Sequence, residues 1–326
     1  MTLEREAREA AAGARRQIAT SAPMLGELAR RLREAPPTLV ITCARGSYDH
    51  AATYGKYLVE TTVGHLVASV GPSVASMYRR APIGLEHALF IAVSQSGRSP
   101  DVLQLTETAR HGGALVVGLV NDESSPLASL CDFVLPLCAG EERAVAATKS
   151  FLLSGVAFLQ LAAAWSGKAT LVDAVSRAAD ALDEACETPW DLSPLAGADS
   201  LYVVGRGLGL GAAQELALKL KETCRLHAEA FSTAEVLHGP VALVRPNFPV
   251  VAIEQADETA AATRDVLAQL AGLGAAIQRC PAAEPSPLLA PLCQVQSFYL
   301  GVTALAAARG LDADAPVHLR KVTETI

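Results

Sequence analysis

The stretch ALFIAVSQSGRSPDVLQLTETARHGG, residues 88–113, joins an apolar segment to a serine-rich turn and a helical pattern. The run ALFIAV predicts a buried strand, and the residues that follow the turn predict a helix. Ser99, Pro100 and Asp101 are residue types that favour a helix start. The turn SQSGRSPD (94–101) is therefore either a helix cap or an anion site, because backbone N–H groups and short hydroxyls at a helix start bind phosphate.

The same order of elements recurs around this stretch. Residues 37–60 predict strand, turn and helix, and residues 114–137 predict a strand, a short helix and another strand. Residues 145–167 predict a long buried helix, since their apolar run is too short to span a bilayer. Residues 3–35 predict two helices that are broken near TSAP at 20–23. Alternating strands and helices predict parallel sheets covered on both faces, which is the α/β class.

The second half of the chain repeats the first. After a linker at 187–200, the segment SLYVVGRGLGLGAAQELALKLKE (200–222) again predicts strand, turn and helix. Arg206 lies 161 residues after Arg45, and a glycine follows each of them. This pattern predicts an internal duplication of two α/β units. The second copy carries IEQADE (253–258) in place of the serine-rich turn, so we expect the anion site in the first copy alone.

Composition limits the possible functions. The 326 residues are 51% hydrophobic and 5% aromatic, with a formal net charge of −7. Because no long basic stripe occurs, we expect no nucleic-acid partner, and we expect no membrane partner either. The charged N-terminus is unlike a signal peptide, and the seven scattered cysteines form no CxxC pair. Both features predict reduced thiols and a cytoplasmic location.

The densest polar stretch, residues 214–240, contains a candidate catalytic group. Glu215, Lys219 and Glu222 are spaced by four and three residues, which places them on one helical stripe. The stripe is either a solvated, salt-bridged surface or an acid–base group beside a cleft, since ligands of α/β sheets bind where such helices begin. His238 precedes Gly-Pro, which predicts that it lies on a loop.

Two other patterns suggest cofactors. Gly207, Gly209 and Ala212 match the dinucleotide fingerprint G-x-G-x-x-A, but the first copy has no such glycines, which argues against a nicotinamide oxidoreductase. His227 and Glu229 resemble half of a zinc-deaminase signature, but no P-C-x-x-C follows them. The seven histidines show no zinc-like grouping. We therefore expect neither a metal nor another cofactor.

Together these motifs resemble the tandem SIS (sugar isomerase) family and are similar to the isomerase half of glucosamine-6-phosphate synthase. The matching segments, in the order of the family, are RGSYD, SQSGRSPD, EERAVAATKSF, ALKLKETCRLHAEAF, EVLHGP and DAPVHLRKVTETI. The resemblance implies two flavodoxin-like SIS domains, each a parallel sheet between helical layers (three-layer αβα), and homodimers with shared active sites. We divide the chain into N-terminal helices (1–35), a phosphate-binding SIS domain (36–185), an SIS domain with the catalytic helix (186–313) and a C-terminal active-site tail (314–326).

The resemblance implies roles for individual residues. Those implied to bind the phosphate and nearby sugar hydroxyls are Ser47, Ser94, Gln95, Ser96 and Ser99. Val145 would contact the sugar through its backbone. Ala147 stands where the synthase has a serine, which puts one hydroxyl contact in doubt. Ser99 stands where the synthase has a threonine, a change that keeps the hydroxyl.

The implied catalytic residues are four. Glu222 would move a proton between C1 and C2 of the sugar, and Lys219 would assist at a sugar oxygen. His238, on a loop that the family often supplies across the dimer, would open the sugar ring. Lys321 matches a lysine that contacts the sugar's carbonyl or forms an imine with it, and an imine requires an unprotonated amine.

The chain begins directly with a helical pattern, so we expect no glutaminase domain. The tightest resemblance is to stand-alone SIS-type glucosamine-6-phosphate deaminases, which implies conversion of glucosamine 6-phosphate and water to fructose 6-phosphate and ammonia. Alternatives on the same fold are another aldose–ketose isomerase, a galactosamine-phosphate deaminase and a fructosamine-phosphate deglycase. An alternative of another class is a non-enzymatic sugar-phosphate sensor, although such regulators usually carry a helix-turn-helix, for which the first 35 residues are too short and insufficiently basic.

Overall fold

The computed structural model of the chain describes residues 1–282 and 284–321. Its strands are β1 Leu39–Cys43, β2 Val67–Ser69, β3 Ala88–Ser94, β4 Leu115–Val120, β5 Phe133–Pro136, β6 Ser200–Gly205, β7 His227–Ser232, β8 Pro249–Ala252 and β9 Ala276–Arg279. Its α-helices are α1 Thr2–Arg8, α2 Ala10–Glu34, α3 Ser47–Leu58, α4 Ser73–Ser76, α5 Pro100–His111, α6 Pro126–Leu130, α7 Lys149–Ser166, α8 Ala169–Ala185, α9 Leu208–Cys224, α10 Ala260–Gly272 and α11 Ala290–Ala308.

These elements form two units, each built around one sheet. The five-stranded unit comprises Ala10–Glu142, Lys149–Ala179 and, among the described residues of the tail, 320–321. The four-stranded unit comprises Met1–Glu9, Arg143–Thr148 and Asp180–Leu319. Both units are discontinuous along the chain, since short segments of one interrupt the other.

The sheet of the five-stranded unit is parallel throughout, with the order β2-β1-β3-β4-β5. Every residue of β3 is buried, which is the continuous apolar pattern expected of a parallel strand covered on both faces. Phe90 on β3 belongs to one core cluster with Leu105 on α5 and Leu127 on α6. Helix α7 packs against both α2 and α3, and α3 also contacts β1 and β3.

The sheet of the four-stranded unit is also parallel, with the order β7-β6-β8-β9. Tyr202 on β6, Val250 on β8 and Phe248 directly before β8 share a core cluster with Leu267 on α10. Helix α9 packs against α11 and against β6 and β7. Strand β7 was not predicted, because its polar residues hide the strand pattern at this edge of the sheet.

The backbone of the two units confirms the predicted duplication. Gly46 precedes α3 with φ 55° and ψ −132°, and Gly207 precedes α9 with φ 56° and ψ −127°. Such positive φ angles favour glycine, so the same turn recurs 161 residues later for the same steric reason. In each unit the first strand also lies between the two strands that follow it, with β1 paired to β2 and β3 and β6 paired to β7 and β8.

The N-terminal helices depart from the prediction. The break lies at Glu9, between α1 and α2, and not near TSAP at 20–23. Pro23 lies inside α2, where it removes one backbone hydrogen bond. The helix continues through it because Leu28 and Leu32, one turn and more beyond the proline, are buried on the face that packs against α7. Burial of each such side chain contributes about 1.5–3 kcal/mol, which offsets the lost bond.

Helix α7 confirms the predicted buried helix but begins at Lys149, four residues later than the prediction. Its residues from Lys149 to Ala163 are all buried, which explains why the run is apolar on every side. Across residues 1–282 and 284–321, no helix combines the length and apolar character that a membrane crossing requires.

Candidate active site

The serine-rich turn leaves β3 at the same sheet edge as the turn that follows β1. The two strands are neighbours, with Cys43 opposite Ala92. Arg45, in the turn after β1, donates through Nε to Oδ2 of Asp101 at 2.8 Å, and the Asp101 side chain is fully buried. This ion pair joins the turn after β1 to the first turn of α5. Ligands of open α/β sheets bind at such an edge, where the strand order reverses.

The serine-rich turn is held by its own side chains. Ser94 Oγ accepts the N–H of Gly97 at 3.0 Å, and Ser96 Oγ accepts the N–H of Arg98 at 3.3 Å. Gly97 has φ 60°, and a Cβ at this position would lie 2.2 Å from Oγ of Ser125. Glycine is therefore required here both for its backbone conformation and for the close approach of Ser125.

The helix-capping alternative accounts for only part of this turn. Ser99 occupies the cap position of α5 and Pro100 its first position, as predicted, but the Ser99 hydroxyl forms no capping bond to any described residue. Ser47 begins α3 and is almost fully buried. The two helix N-termini leave backbone N–H groups without helical partners at this edge, which favours an anion. The predicted phosphate-binding residues that the structure brings to this edge are Ser47, Ser94, Gln95, Ser96 and Ser99.

Replacing Gly97 with alanine should lower the free energy of unfolding by at least about 1 kcal/mol. Alanine would be strained at this positive φ, and its Cβ would also clash with Oγ of Ser125. Urea denaturation of both proteins measures this difference. The matched control is Gly26→Ala, in the middle of α2, where a Cβ would meet nothing within 4 Å. The control should stabilise the chain by about 0.5–1 kcal/mol. Equal effects of the two substitutions would contradict the steric role of Gly97.

The corresponding turn of the four-stranded unit is filled by its own side chains. Asp257 Oδ1 accepts the N–H of Thr259 at 2.8 Å and the Thr259 hydroxyl at 2.6 Å. Gln255 Nε2 donates to the carbonyl of Arg206 at 2.7 Å. A Cβ on Gly209 would lie 2.7 Å from Oε1 of Gln255, so this glycine of the apparent dinucleotide fingerprint makes room for a side chain. A carboxylate thus occupies the turn that in the first copy carries serines.

The polar stripe on α9 is buried, so it is not a solvated surface. The side chains of Glu215 and Lys219 are 0% and 1% exposed, and their Oε1 and Nζ atoms lie 3.5 Å apart. Lys219 also donates to Oε2 of Glu222, whose side chain is 20% exposed. Tyr299 on α11 donates from its hydroxyl to Glu215 Oε1 at 2.8 Å. The ammonium of Lys219 therefore lies between two carboxylates, and the outer one reaches solvent.

Electrostatics assigns different chemistry to these neighbours. Burial alone lowers the pKa of Lys219, but the charges and hydrogen bonds of Glu215 and Glu222 outweigh it, so the net pKa of Lys219 is raised. Lys219 is thus an ammonium at neutral pH and can donate a hydrogen bond but cannot accept a proton. Glu222 is the partly exposed carboxylate beside it, which is the arrangement of a general base next to a proton donor.

The segment that carries Val145 and Ala147 is held by a residue that sequence analysis missed. Glu6 on α1 is buried and accepts the N–H of Arg143 at 2.7 Å and the N–H of Ala144 at 3.1 Å. Val145 is partly exposed directly after these two bonds, and Ala147 is 9% exposed. No local pattern could identify Glu6, because the groups it binds lie more than 130 residues away in sequence.

His238 and Lys321 differ in how they are held. His238 is exposed on a loop after the single-turn helix Glu235–Leu237, as predicted, and its imidazole forms no hydrogen bond to a described residue. Lys321 Nζ lies 2.9 Å from Oε2 of Glu142. Residues 322–326 of the predicted active-site tail lie outside the described residues. In the part of the chain that the structure describes, no group of three or more His, Cys, Asp or Glu side chains is placed to hold a metal ion.

Comparison with known proteins agrees with this architecture. The sequence profile of the SIS domain matches residues 32–164 and 194–280. Glutamine–fructose-6-phosphate aminotransferase (isomerizing) of Symbiobacterium thermophilum is 34% identical over 334 residues, covering 91% of this chain and 53% of the relative. The chain therefore spans about half the length of the curated relatives it matches.

Solved structures share the fold. A proposed phosphosugar isomerase from Silicibacter pomeroyi DSS-3 is 39% identical, with a TM-score of 0.91, and the alignment covers 96% of this chain and 100% of that one. Glucosamine-6-phosphate deaminase from Thermotoga maritima is 22% identical, with a TM-score of 0.76 and coverage of 96% and 100%, which shows a shared fold alone. With a profile match in each half, two parallel sheets and a repeated strand–turn–helix, the chain belongs to the SIS domain family and carries the domain in tandem.

Proposed function

We propose that the chain is a phosphosugar isomerase of the SIS type that deaminates glucosamine 6-phosphate. The observation that carries the proposal is the buried Lys219 between Glu215 and the partly exposed Glu222, since it pairs a fixed proton donor with a general base. The likeness to a proposed phosphosugar isomerase and to the isomerizing aminotransferases supports a sugar phosphate as the substrate.

The phosphate of the substrate would bind at the serine-rich turn. Backbone N–H groups at the start of α5 and the hydroxyls of Ser47, Ser96 and Ser99 provide donors that suit a dianion. The ion pair of Arg45 with the buried carboxylate of Asp101 holds the two turns at fixed separation, so the donors are preorganised. This is a site for a small phosphate ester, because the turn has no lysine of the nucleotide-binding P-loop type.

The reaction would begin with ring opening by His238, which frees the C1 aldehyde. Glu222 then removes the proton from C2 and returns it to C1, while the Lys219 ammonium donates a hydrogen bond to a sugar oxygen. Over the same step the C1 oxygen gains one proton and the C2 amine loses one, so C1 becomes an alcohol and a C=N bond forms at C2. One water molecule hydrolyses that imine and releases ammonia and fructose 6-phosphate, so atoms and charges balance.

The direct test is to supply purified protein with glucosamine 6-phosphate, without glutamine, and to measure ammonia and fructose 6-phosphate together. Equal amounts of both products would support deamination. The protein could instead leave glucosamine 6-phosphate unchanged and turn over phosphorylated aldoses, galactosamine phosphate or fructosamine phosphates. That result would replace the deaminase proposal with another reaction of the same class. Binding of sugar phosphates without any turnover would contradict an enzymatic function and favour a sensor.

Replacing Ser96 and Ser99 together with alanine should raise KM by about 10-fold for each hydroxyl lost, since a hydrogen bond to a charged group contributes about 1.5–3 kcal/mol. Turnover at saturation should change little, because neither hydroxyl would act on the reacting carbons. The matched control is Ser176→Ala on α8, where an exposed serine bonds only to the backbone of its own helix among described residues. An unchanged KM in the double variant would move the phosphate site elsewhere.

The exposed loop of His238 supports a homodimer in which each chain supplies its histidine to the partner. Chains carrying His238→Ala and chains carrying Glu222→Gln should each be inactive alone. Each mixed dimer of the two should recover about one active site, or half of the wild-type activity, because one of its two sites would regain both intact residues. No recovery in dimers verified to be mixed would show that both residues act from the same chain.

A further inference from the structure

Tyr299 on α11 is a buried tyrosine that the proposed chemistry does not use. Its side chain is shielded from solvent, and its hydroxyl donates to Oε1 of Glu215 on α9 at 2.8 Å. Burying a hydroxyl costs free energy unless it is hydrogen-bonded, and a phenylalanine would fill the same space without that cost. The hydroxyl of Tyr299 therefore contributes more than packing, because it gives the buried Glu215 carboxylate a hydrogen-bond donor.

The ammonium of Lys219 divides its contacts unequally between the two glutamates of α9. It donates a hydrogen bond to Oε2 of Glu222. Its Nζ lies 3.5 Å from Oε1 of Glu215, which is longer than the usual N–H···O hydrogen bond of about 2.7–3.2 Å. Glu215 is fully buried, whereas Glu222 reaches solvent. The ammonium therefore binds the outer carboxylate more closely than the inner one.

Two general preferences favour the opposite arrangement. Coulomb attraction is less screened in the interior, so the more deeply buried carboxylate of Glu215 should attract the ammonium more strongly. On a helix, the favoured order for an ion pair is a glutamate four residues before a lysine, which describes Glu215 and Lys219, whereas Glu222 follows the lysine. Tyr299 supplies the contact that reduces the pull of Glu215, because it donates to the same oxygen that faces Lys219.

We propose that Tyr299 is a positioning residue, which partly satisfies Glu215 and thereby holds the Lys219 ammonium outward. In that position the ammonium binds Glu222 at the end of the stripe that reaches solvent. Without the hydroxyl, the ammonium would move inward to Glu215 and would lie farther from the base and from a bound sugar. Such a loss of preorganisation slows the chemical step more than it weakens binding. The role of Glu222 as the base rests on the proposed function, but the position of the ammonium does not.

The first experiment needs no turnover. Crystal structures of wild type and of Tyr299→Phe, at one pH, compare the distances from Lys219 Nζ to the carboxylates of Glu215 and Glu222. We expect the wild-type ammonium to lie nearer Glu222, and the ammonium of the variant to move to about 3 Å from Oε1 of Glu215. Unchanged distances in the variant would overturn the proposal. A wild-type ammonium nearer Glu215 would also overturn it, and that test needs no folded variant.

The second experiment measures turnover of glucosamine 6-phosphate. Tyr299→Phe should lower kcat about tenfold, as one hydrogen bond to a charged group is lost, and should change KM by less than about threefold. The matched control is Thr303→Val, which removes a buried hydroxyl of α11 that bonds, among described residues, only to the carbonyl of Leu300.

The control separates positioning from a general effect on α11. Thr303→Val should leave kcat unchanged. Equal losses of kcat in the two variants, or an unchanged kcat in Tyr299→Phe, would overturn the proposal. Absence of any turnover in wild type would instead contradict the proposed function, and the crystallographic distances would then decide the role of Tyr299 by themselves.

Discussion

Glu222→Gln should lower the turnover of glucosamine 6-phosphate by at least about 10²-fold, the lower range for loss of a general base. The amide has the same size and can still accept the hydrogen bond from Lys219, but it cannot accept the C2 proton. Sugar-phosphate affinity should therefore remain close to that of wild type. Ammonia release gives the turnover, and calorimetric titration with fructose 6-phosphate gives the dissociation constant.

Two further measurements make this prediction specific to proton transfer. Exchange of the sugar's C1 hydrogen with deuterated water should disappear in Glu222→Gln together with turnover. The control Glu187→Gln, at an exposed position after α8, should leave both rates unchanged. Near-normal turnover or retained exchange in Glu222→Gln would show that another group carries the proton.

Lys219→Met should lower the free energy of unfolding by about 3–5 kcal/mol, the range for removing one partner of a buried ion pair. The substitution keeps most of the volume of the side chain but leaves the buried carboxylate of Glu215 without its cation. Tyr299 would still donate to Glu215, which can offset only part of the loss. Urea denaturation at neutral pH measures the difference, with Lys168→Met, at an exposed lysine, as the control.

The pH dependence of this difference follows from the raised pKa of Lys219. Its ordinary pKa of 10.5 applies to the unfolded chain, and its pKa in the folded chain is higher. The stability that its charge contributes is therefore fully present below about pH 10.5 and is lost as the pH rises through the folded pKa. The difference between wild type and Lys219→Met should stay constant across neutral pH. A difference below about 0.5 kcal/mol at neutral pH would place Lys219 among ordinary surface lysines.

The predictions that the structure confirms depend on residues that are adjacent in sequence. The run from Ala88 to His111 contains a buried strand, a glycine turn and a helix start within one stretch, and each depends on local sterics and burial. The duplication was visible for the same reason, since Gly46 and Gly207 repeat one backbone conformation. The helix break near 20–23 was wrong because a local proline signal was outweighed by packing of α2 on α7.

No local sequence pattern could identify the partners of the candidate site residues. Glu6, Glu142 and Tyr299 lie far along the chain from the groups they bind: Glu6 from Arg143, Glu142 from Lys321, and Tyr299 from Glu215. The sequence also could not decide whether Lys219 and Glu215 form a solvated surface or a buried ion pair. Their spacing is the same in both cases.

Periodicity and the glycine and proline signals act over a few residues. They determine the order of strands, turns and helices, the parallel class of the sheets and the place of the serine-rich turn. Burial and charge state do not, since they depend on which distant groups surround a side chain. Packing against α11 makes Lys219 a buried ammonium rather than a surface charge, and the carboxylate of Glu142 makes Lys321 an ion-paired cation rather than an exposed tail residue. These contacts arise only when segments separated by up to 179 residues meet in the folded chain.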